Sequence, residues 1–195
     1  MNAKGAILVQ PIKFLRRRRA EALPLLRPEL HHYLDERVAL SSWYPESDFA
    51  ELMEAVVALS PGAERVATIE KMGELGARAH AEIYGDLIRT LSTSTVFALW
   101  SSQHDSGELR VVQESATTAR VELTNFDSPS DVVCLLTSGY IRGGLSWNGM
   151  EDVVVAKLLC TVRGDRMCAW RANWKDPEAT PVTPARRRAR SPSRR

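Results

Sequence analysis

Two of the three cysteines flank a short turn near the C-terminal end, and thiols are the side chains here most able to do chemistry. Cys160 and Cys168 enclose Gly164 and Asp165, and runs of β-favouring residues lie on either side. The pattern predicts a β-hairpin over residues 151–174. A two-residue loop would place the two thiols on opposite faces, whereas a three-residue loop centred on Gly164 would place both on one face. Only the second geometry would permit a metal or redox pair.

A metal ion at this pair of cysteines would be short of ligands. Zinc usually takes four protein ligands in structural sites, and two thiolates supply half of them. Neither Cys134 nor the histidines (His31, His32, His80 and His104) show a spacing that zinc motifs use. We therefore predict no metal, and we expect the cysteines to behave as small buried hydrophobic residues. A metal or redox site at Cys160 and Cys168 is the least favoured of three functional hypotheses.

The other polar residues form no recognisable catalytic set. The sequence has no nucleophile elbow, no zinc-protease motif and no phosphate-binding glycine loop. His31 and His32 are adjacent, so on a helix their side chains would diverge by about 100°. His80 lies near the apolar stripe of a predicted long helix, where a hydrogen-bonded histidine at the core boundary is favoured over a haem or metal ligand. The sequence therefore predicts a non-enzymatic protein, and we assign it no cofactor.

The last predicted strand offers a candidate ligand pocket. Cys168, Trp170, Ala172 and Trp174 alternate onto one of its faces. Together with the long helix they would line an apolar cavity of the kind that binds small molecules. The alternative is that they fill the core between the sheet and the helices. The candidate pocket residues are Cys160, Cys168, Trp170 and Trp174.

Charge is segregated along the chain, although the net charge is only +2. Residues 20–174 carry 13 basic and 22 acidic side chains, a balance of −9, while both ends are basic. Nucleic acid or an anionic surface would therefore be contacted through the ends rather than through the folded body. A solubilising tail without a partner is the alternative. The candidate contact residues are Arg16, Arg17, Arg18, Arg19, Arg186, Arg187, Arg188 and Arg190.

Hydrophobic periodicity predicts helices first and then mainly strands. Asp48 and Glu51 have the spacing of a capping box at the start of one helix. Gly73 and Gly76 lie inside a long helix, where they predict close approach by another backbone. The predicted elements are a strand over 5–15, helices over 28–40, after Asp48 and over 63–91, strands over 109–112 and 120–123, a helix over 131–145 and the hairpin.

This order predicts an α+β fold in which a helical layer packs on a twisted antiparallel sheet that ends in the C-terminal hairpin. Residues 1–174 would form one domain with a basic N-terminal segment over 1–19. Residues 175–195 would form a disordered tail rich in proline and arginine. No apolar run reaches the roughly 20 residues that span a bilayer. Three cysteines without a secretion signal predict a cytoplasmic protein.

Several short motifs occur in an order that resembles known families across residues 3–174. Their order resembles a myxobacterial paralogous family without an assigned function. The Cys-x3-Gly-Asp-x2-Cys ending is similar, more distantly, to 4-vinyl-reductase-type domains. The motifs are Tyr44-Pro45-Glu46-Ser47-Asp48-Phe49, Gly73-Glu74-Leu75-Gly76 leading to Tyr84-Gly85, Trp100, Gly139-Tyr140-Ile141-Arg142-Gly143 and Cys160-x7-Cys168-x-Trp170-x3-Trp174.

The 4-vinyl-reductase-type domains are grouped with haem–nitric-oxide-binding domains and TRAPP transport subunits as one α+β fold for ligand binding. The resemblance implies a helical layer on a twisted antiparallel sheet, with an apolar ligand cavity between them. It carries over no catalytic residue and assigns no histidine as a haem ligand.

These observations predict a non-enzymatic cytoplasmic sensor or adaptor domain with a regulatory role. It would bind a small apolar ligand or a protein partner. The alternative is a nucleic-acid-associated regulator that acts through its basic termini.

Overall fold

The computed structural model describes residues 1–60, 64–90, 100–127 and 130–175, with the backbone alone for residues 83–90. The N-terminal part is mainly helical: β1 (Asn2–Lys4), α1 (Gly5–Arg17), α2 (Arg19–Ala22), α3 (His32–Asp35), β2 (Trp43–Pro45) and α4 (Glu46–Ala58). The rest comprises α5 (Arg65–Thr90), α6 (Trp100–Gln103), β3 (Glu108–Ser115), β4 (Thr118–Thr124), α7 (Asp131–Trp147), β5 (Glu151–Leu159) and β6 (Cys168–Lys175).

The predicted α+β fold is confirmed. Four antiparallel strands form a sheet in the order β3-β4-β6-β5, and β5 and β6 make the predicted C-terminal hairpin. Helix α7 packs on this sheet around the fully buried Trp170. The N-terminal helices enclose a separate apolar core that includes Leu8, Leu52 and Met53.

The hairpin loop is longer than either predicted alternative. Strand β5 ends at Leu159 and β6 begins at Cys168, so residues 160–167 form an eight-residue connection. Gly164 takes a φ of +92° within it, a backbone conformation that favours glycine. The predictions of a two-residue or a three-residue loop were both wrong. The alternation along β6 is confirmed, because Trp170, Ala172 and Trp174 are buried while the residues between them are exposed.

Helix α1 replaces the strand that was predicted over residues 5–15. Leu8, Ile12 and Leu15 are buried at spacings of four and three, which is the period of a helix face. The strand prediction was wrong because a short apolar run fits either period. Burial of the apolar face outweighs the proline penalty.

Two predictions about neighbouring helices also need correction. The helix predicted over 28–40 is limited to a 3-10 turn at Pro28–Leu30 and the four-residue helix α3. The capping box at Asp48 was wrong, since α4 begins at Glu46 without a side-chain cap. The Asp48 carboxylate instead accepts a 2.9 Å hydrogen bond from the hydroxyl of Tyr33 and a 2.6 Å bond from Arg27.

Helices α5 and α7 pack with almost no space between their backbones. A Cβ at Gly73 would lie 2.1 Å from the carbonyl oxygen of Leu136, and one at Gly139 would lie 1.8 Å from that of Glu70. Glycine is therefore required at both positions, as the small residues of the long helix predicted for α5. The guanidinium of Arg142 adds ion pairs across the same contact, to Glu70 and to a second carboxylate on α5.

The described chain ends at Lys175, so the predicted disordered tail lies almost entirely outside the described residues. Among the described helices, none is both long enough and apolar enough to cross a membrane.

Candidate functional site

A cavity of about 370 Å³ lies between α1 and the α5–α7 pair. Its volume falls within the roughly 300–1,000 Å³ typical of small-molecule pockets. Apolar side chains form most of the wall. Its described lining is Ala6, Ile7, Val9, Gln10, Pro11, Lys13, Leu40, Phe49, Met53, Met72, Gly73, Gly76, Ala79, His80, Trp100, Gln103, His104, Leu109, Val133, Leu136, Thr137, Tyr140 and Ile141.

The long helix α5 presents one open position to this cavity. A Cβ built at Gly76 would meet no atom of the described residues within 4 Å, so the prediction of close backbone approach was wrong at this position, although Gly73, one turn earlier, is in tight contact with α7. The two glycines therefore have different roles. Gly73 allows α7 to approach, while Gly76 leaves space that a larger side chain would fill.

His80 and Tyr140 form one polar group in the cavity wall. The His80 Nδ1 lies 2.9 Å from the Tyr140 hydroxyl, and the two rings meet edge to face. Burial lowers the pKa of His80 below its usual value. The imidazole is therefore neutral near pH 7, and each of its ring nitrogens has a defined donor or acceptor role.

A second polar group is formed by α6 and the residue that follows it. The His104 ring stacks on Trp100 with centroids 3.9 Å apart, and its Nδ1 lies 3.2 Å from a carboxylate oxygen of the buried Glu46. The indole N–H of Trp100 is already bonded to the Ser106 carbonyl. The side-chain oxygen of Gln103 is buried and has no hydrogen-bond partner among the described residues. An unsatisfied buried acceptor costs about 1–3 kcal/mol, so this position favours a ligand that donates a hydrogen bond.

The four predicted pocket residues lie elsewhere. Cys160, Cys168, Trp170 and Trp174 are buried together in the core between the sheet and α7, and none of them lines the cavity. Trp170 is completely buried, and its indole N–H donates a 2.9 Å hydrogen bond to the Ser138 hydroxyl. The described residues that line the cavity come mainly from five helices, and the sequence predicted none of them as a pocket residue.

A third cysteine, Cys134, lies beside Cys160 and Cys168. The sulfur of Cys134, in the first turn of α7, lies 3.5 Å from that of Cys168 and 3.8 Å from that of Cys160. All three sulfurs lie within 4.8 Å of one another, and all three side chains are buried. Sequence spacing gave no signal for Cys134, because the contact depends on α7 crossing the sheet beneath the hairpin.

A lysine completes this thiol cluster, by which we mean Cys134, Cys160, Cys168 and Lys157. The Lys157 Nζ lies 3.2 Å from the Cys134 sulfur and 3.4 Å from the centre of the Trp170 ring. Hydrogen bonds from Cys134 and from Thr161 lower the pKa of Cys168 to about 4. The same bond to Cys168 raises the pKa of Cys134. The hydrogen bond between the two sulfurs therefore favours the thiolate at Cys168 and the thiol at Cys134.

Three of the four predicted N-terminal contact residues are engaged within the molecule. Arg16 donates to the backbone carbonyls of Tyr33 and Glu36. Arg18 pairs with Glu21, and Arg19 with Asp35. Arg17 is exposed. Contact of this segment with a polyanion would compete with those internal bonds. The C-terminal candidates, Arg186, Arg187, Arg188 and Arg190, lie outside the described residues.

No protein-family model and no curated protein matches the sequence. The fold is similar to that of H-NOX proteins. An S. oneidensis H-NOX in the Fe(II)NO state has a TM-score of 0.66 at 13% identity, covering 89% of this chain and 99% of that one. A T. tengcongensis H-NOX variant has a TM-score of 0.64 at 13% identity, covering 90% and 99%. The similarity establishes an H-NOX-like fold, and the resemblance to a myxobacterial family stays a prediction.

The names of these solved structures refer to iron and haem, so the cavity must be compared with the needs of a haem. A volume of about 370 Å³ lies at the small end of the range for ligand pockets, and a four-ring macrocycle with two propionates is a large ligand. Lys13, which is exposed, is the one lysine or arginine in the described lining. His80 and His104 contact Tyr140 and Glu46 through Nδ1, which orients each ring without excluding metal ligation, so volume and charge decide the comparison. The described residues therefore do not fit a haem.

Proposed function

We propose that this protein is a non-enzymatic sensor domain that binds a small, largely apolar molecule in the cavity between α1 and the α5–α7 pair. The cavity itself carries the proposal, because a largely apolar cavity of this size on an H-NOX-like fold has the form of a binding site. A regulatory role in the cytoplasm belongs to the same proposal.

The polar groups of the wall define the ligand further. The Gln103 oxygen requires a donor, and the His80–Tyr140 pair supplies a neutral donor and acceptor set. Lys13 is exposed, so the described wall has no buried cation for a carboxylate or phosphate. The expected ligand is an uncharged one- or two-ring molecule that carries a hydroxyl or amine at one edge.

Ligand binding would act on the packing of the helices around the cavity. Helix α7 lines the cavity through Val133, Thr137 and Tyr140 and packs on the sheet through its other side. A molecule held between α1 and this helix would stabilise one arrangement of the two layers. Such a preference for one conformation is what a sensor needs to report occupancy.

Two measurements test this proposal. Native mass spectrometry of the full chain is expected to show a copurifying small molecule, or to show binding of added 1-naphthol. Isothermal titration is expected to show at least roughly tenfold weaker binding of naphthalene, which has the same shape without the donor. No copurifying molecule together with no binding of either probe would overturn the proposal. Equal affinity for both probes would remove its claim about the hydrogen-bond donor.

A further inference from the structure

The thiol cluster combines the features of a redox-active thiol pair. Cys134 on α7 and Cys168 at the start of β6 are far apart in sequence, yet their sulfurs are 3.5 Å apart. A disulfide requires about 2.05 Å, so the sulfurs are close enough to bond after a small approach. Neither thiol is part of the cavity wall.

The hydrogen bonds around Cys168 favour a thiolate at that sulfur. The Thr161 backbone N–H lies 3.5 Å from it, the Thr161 hydroxyl 3.3 Å, and the Cys134 thiol is the third neighbour. Together these contacts lower the pKa of Cys168. A thiolate, rather than a thiol, is the nucleophile that attacks an oxidant.

Lys157 supplies the charge that the second thiol needs. Its Nζ lies 3.2 Å from the Cys134 sulfur and 3.4 Å from the centre of the Trp170 ring, which is a cation–π contact. An ammonium beside Cys134 favours loss of the proton from that thiol. It also opposes a divalent cation among the three sulfurs, which by themselves supply one ligand fewer than zinc usually takes.

We propose that Cys134 and Cys168 form a reversible disulfide when the protein meets a small hydroperoxide, with Lys157 promoting the reaction of Cys134. The oxidant must be small because the cluster is almost closed. Cys168 is 2% exposed and Cys134 is 7% exposed.

The chemistry has two steps. The Cys168 thiolate attacks one peroxide oxygen, an S–O bond forms, the O–O bond breaks, and the leaving hydroxide takes a proton to become water. Cys134 then attacks the sulfenic sulfur, the S–S bond forms, and the S–O bond breaks with release of a second water. Two thiols lose two electrons and two protons, and one molecule of hydrogen peroxide becomes two of water.

A disulfide at this place would tie the first turn of α7 to the start of β6. Val133, the neighbour of Cys134, lines the ligand cavity, so the bond would act close to it. The proposed disulfide does not depend on ligand binding, and the two proposals are tested separately.

The test is to count thiols on the full chain. The protein is reduced with a phosphine, desalted, assayed for bound metals, treated with hydrogen peroxide and alkylated under denaturing conditions. The expected result is an intact mass lower by two hydrogens before alkylation, one alkylated cysteine instead of three, and a Cys134–Cys168 peptide on digestion. A dithiol is expected to restore all three thiols. The wild-type result needs no variant, so it does not depend on whether a mutant folds.

Variants then assign the roles. Cys160→Ser is expected to keep the disulfide, and Lys157→Met to slow its formation roughly tenfold at neutral pH. Lys71→Met removes an exposed lysine from a surface ion pair and is the matched control, with an unchanged rate expected. Three alkylatable thiols after peroxide would overturn the proposal. So would addition of oxygen atoms without a disulfide, or one tightly held metal ion per chain after reduction.

Discussion

The cavity and the thiol cluster both border α7 and differ in almost every physical respect. The cavity is an open space of about 370 Å³ with neutral, mainly apolar walls. The thiol cluster is a packed group in which the Lys157 amine contacts the Cys134 sulfur and the fully buried Trp170 ring directly. Binding of a molecule needs space, whereas reaction between side chains needs contact. Helix α7 therefore borders both the proposed binding site and the proposed disulfide.

The first prediction compares one tryptophan from each region and has the largest expected effect. Trp170→Ala should lower the free energy of unfolding by about 3–5 kcal/mol, because it removes a fully buried ring from a closed core. Trp100→Ala should cost less than about 2 kcal/mol, because Trp100 is half-buried and already borders a cavity. Urea unfolding followed by circular dichroism measures both. Equal losses would contradict the distinction between closed core and open pocket.

The second prediction uses two glycines that face different surroundings. Gly139→Ala should destabilise the protein by about 3 kcal/mol, because the added Cβ would collide with the Glu70 carbonyl across the helix contact. Gly76→Ala should stabilise it by up to about 1 kcal/mol, because alanine favours a helix and the new methyl meets nothing. Thermal and urea unfolding of both variants provide the check. Destabilisation by Gly76→Ala would show that the space at this position is not open.

The third prediction concerns the pH dependence that the thiol pair imposes. Near neutral pH the folded pair holds one proton, while the unfolded thiols, with ordinary pKa values, hold two. Stability contributed by the lowered pKa of Cys168 is therefore lost as the pH falls toward about 4. The expected slope is about 1 kcal/mol per pH unit near neutrality, present in the reduced wild type and absent in Cys168→Ser. Above the usual thiol pKa the trend should reverse, since Cys134 keeps its proton only in the folded state.

The fourth prediction addresses the neutral histidine of the cavity and has the smallest effect. The pKa of His80 is lowered on folding from an ordinary value of 6.5, so the unfolded chain takes up its proton first as the pH falls. Stability from the neutral imidazole is complete above the unfolded pKa and is lost as the pH falls through the folded one. As the pH falls, His80→Gln should lose less free energy of unfolding than the wild type does, by less than about 1 kcal/mol. A steeper loss of stability at acid pH in His80→Gln than in the wild type would contradict a lowered pKa of His80 in the folded state.

The sequence allowed prediction of those parts of the fold whose signals are local. The alternation of β6, the start of α7 at Asp131 and the long stripe of α5 each depend on residues a few positions apart. Helix α1 was missed because an apolar run interrupted by Pro11 satisfies a strand pattern as well as a helix pattern. Its conformation is decided by burial against distant helices, which no local window contains.

The candidate site was less predictable than the fold because both regions are assembled over long sequence distances. The cavity is the space left where five helices fail to fill the interior, and no residue pattern encodes such a gap. For the thiol cluster, the sequence indicated only Cys160 and Cys168 as neighbours. Cys134 and Lys157 joined it only through the crossing of α7 over the sheet and through a loop longer than the turn at Gly164 suggested.

The most direct measurement of the central claim is a calorimetric titration of 1-naphthol into the wild type, Gly76→Leu and Arg78→Leu. The first variant places a leucine where Gly76 borders the cavity, and the second places it at an exposed position two residues further along the same helix. We expect the wild type and Arg78→Leu to bind alike, and Gly76→Leu, while folded, to lose at least roughly tenfold in affinity. Unchanged binding by a folded Gly76→Leu would show that the cavity is not where the ligand resides.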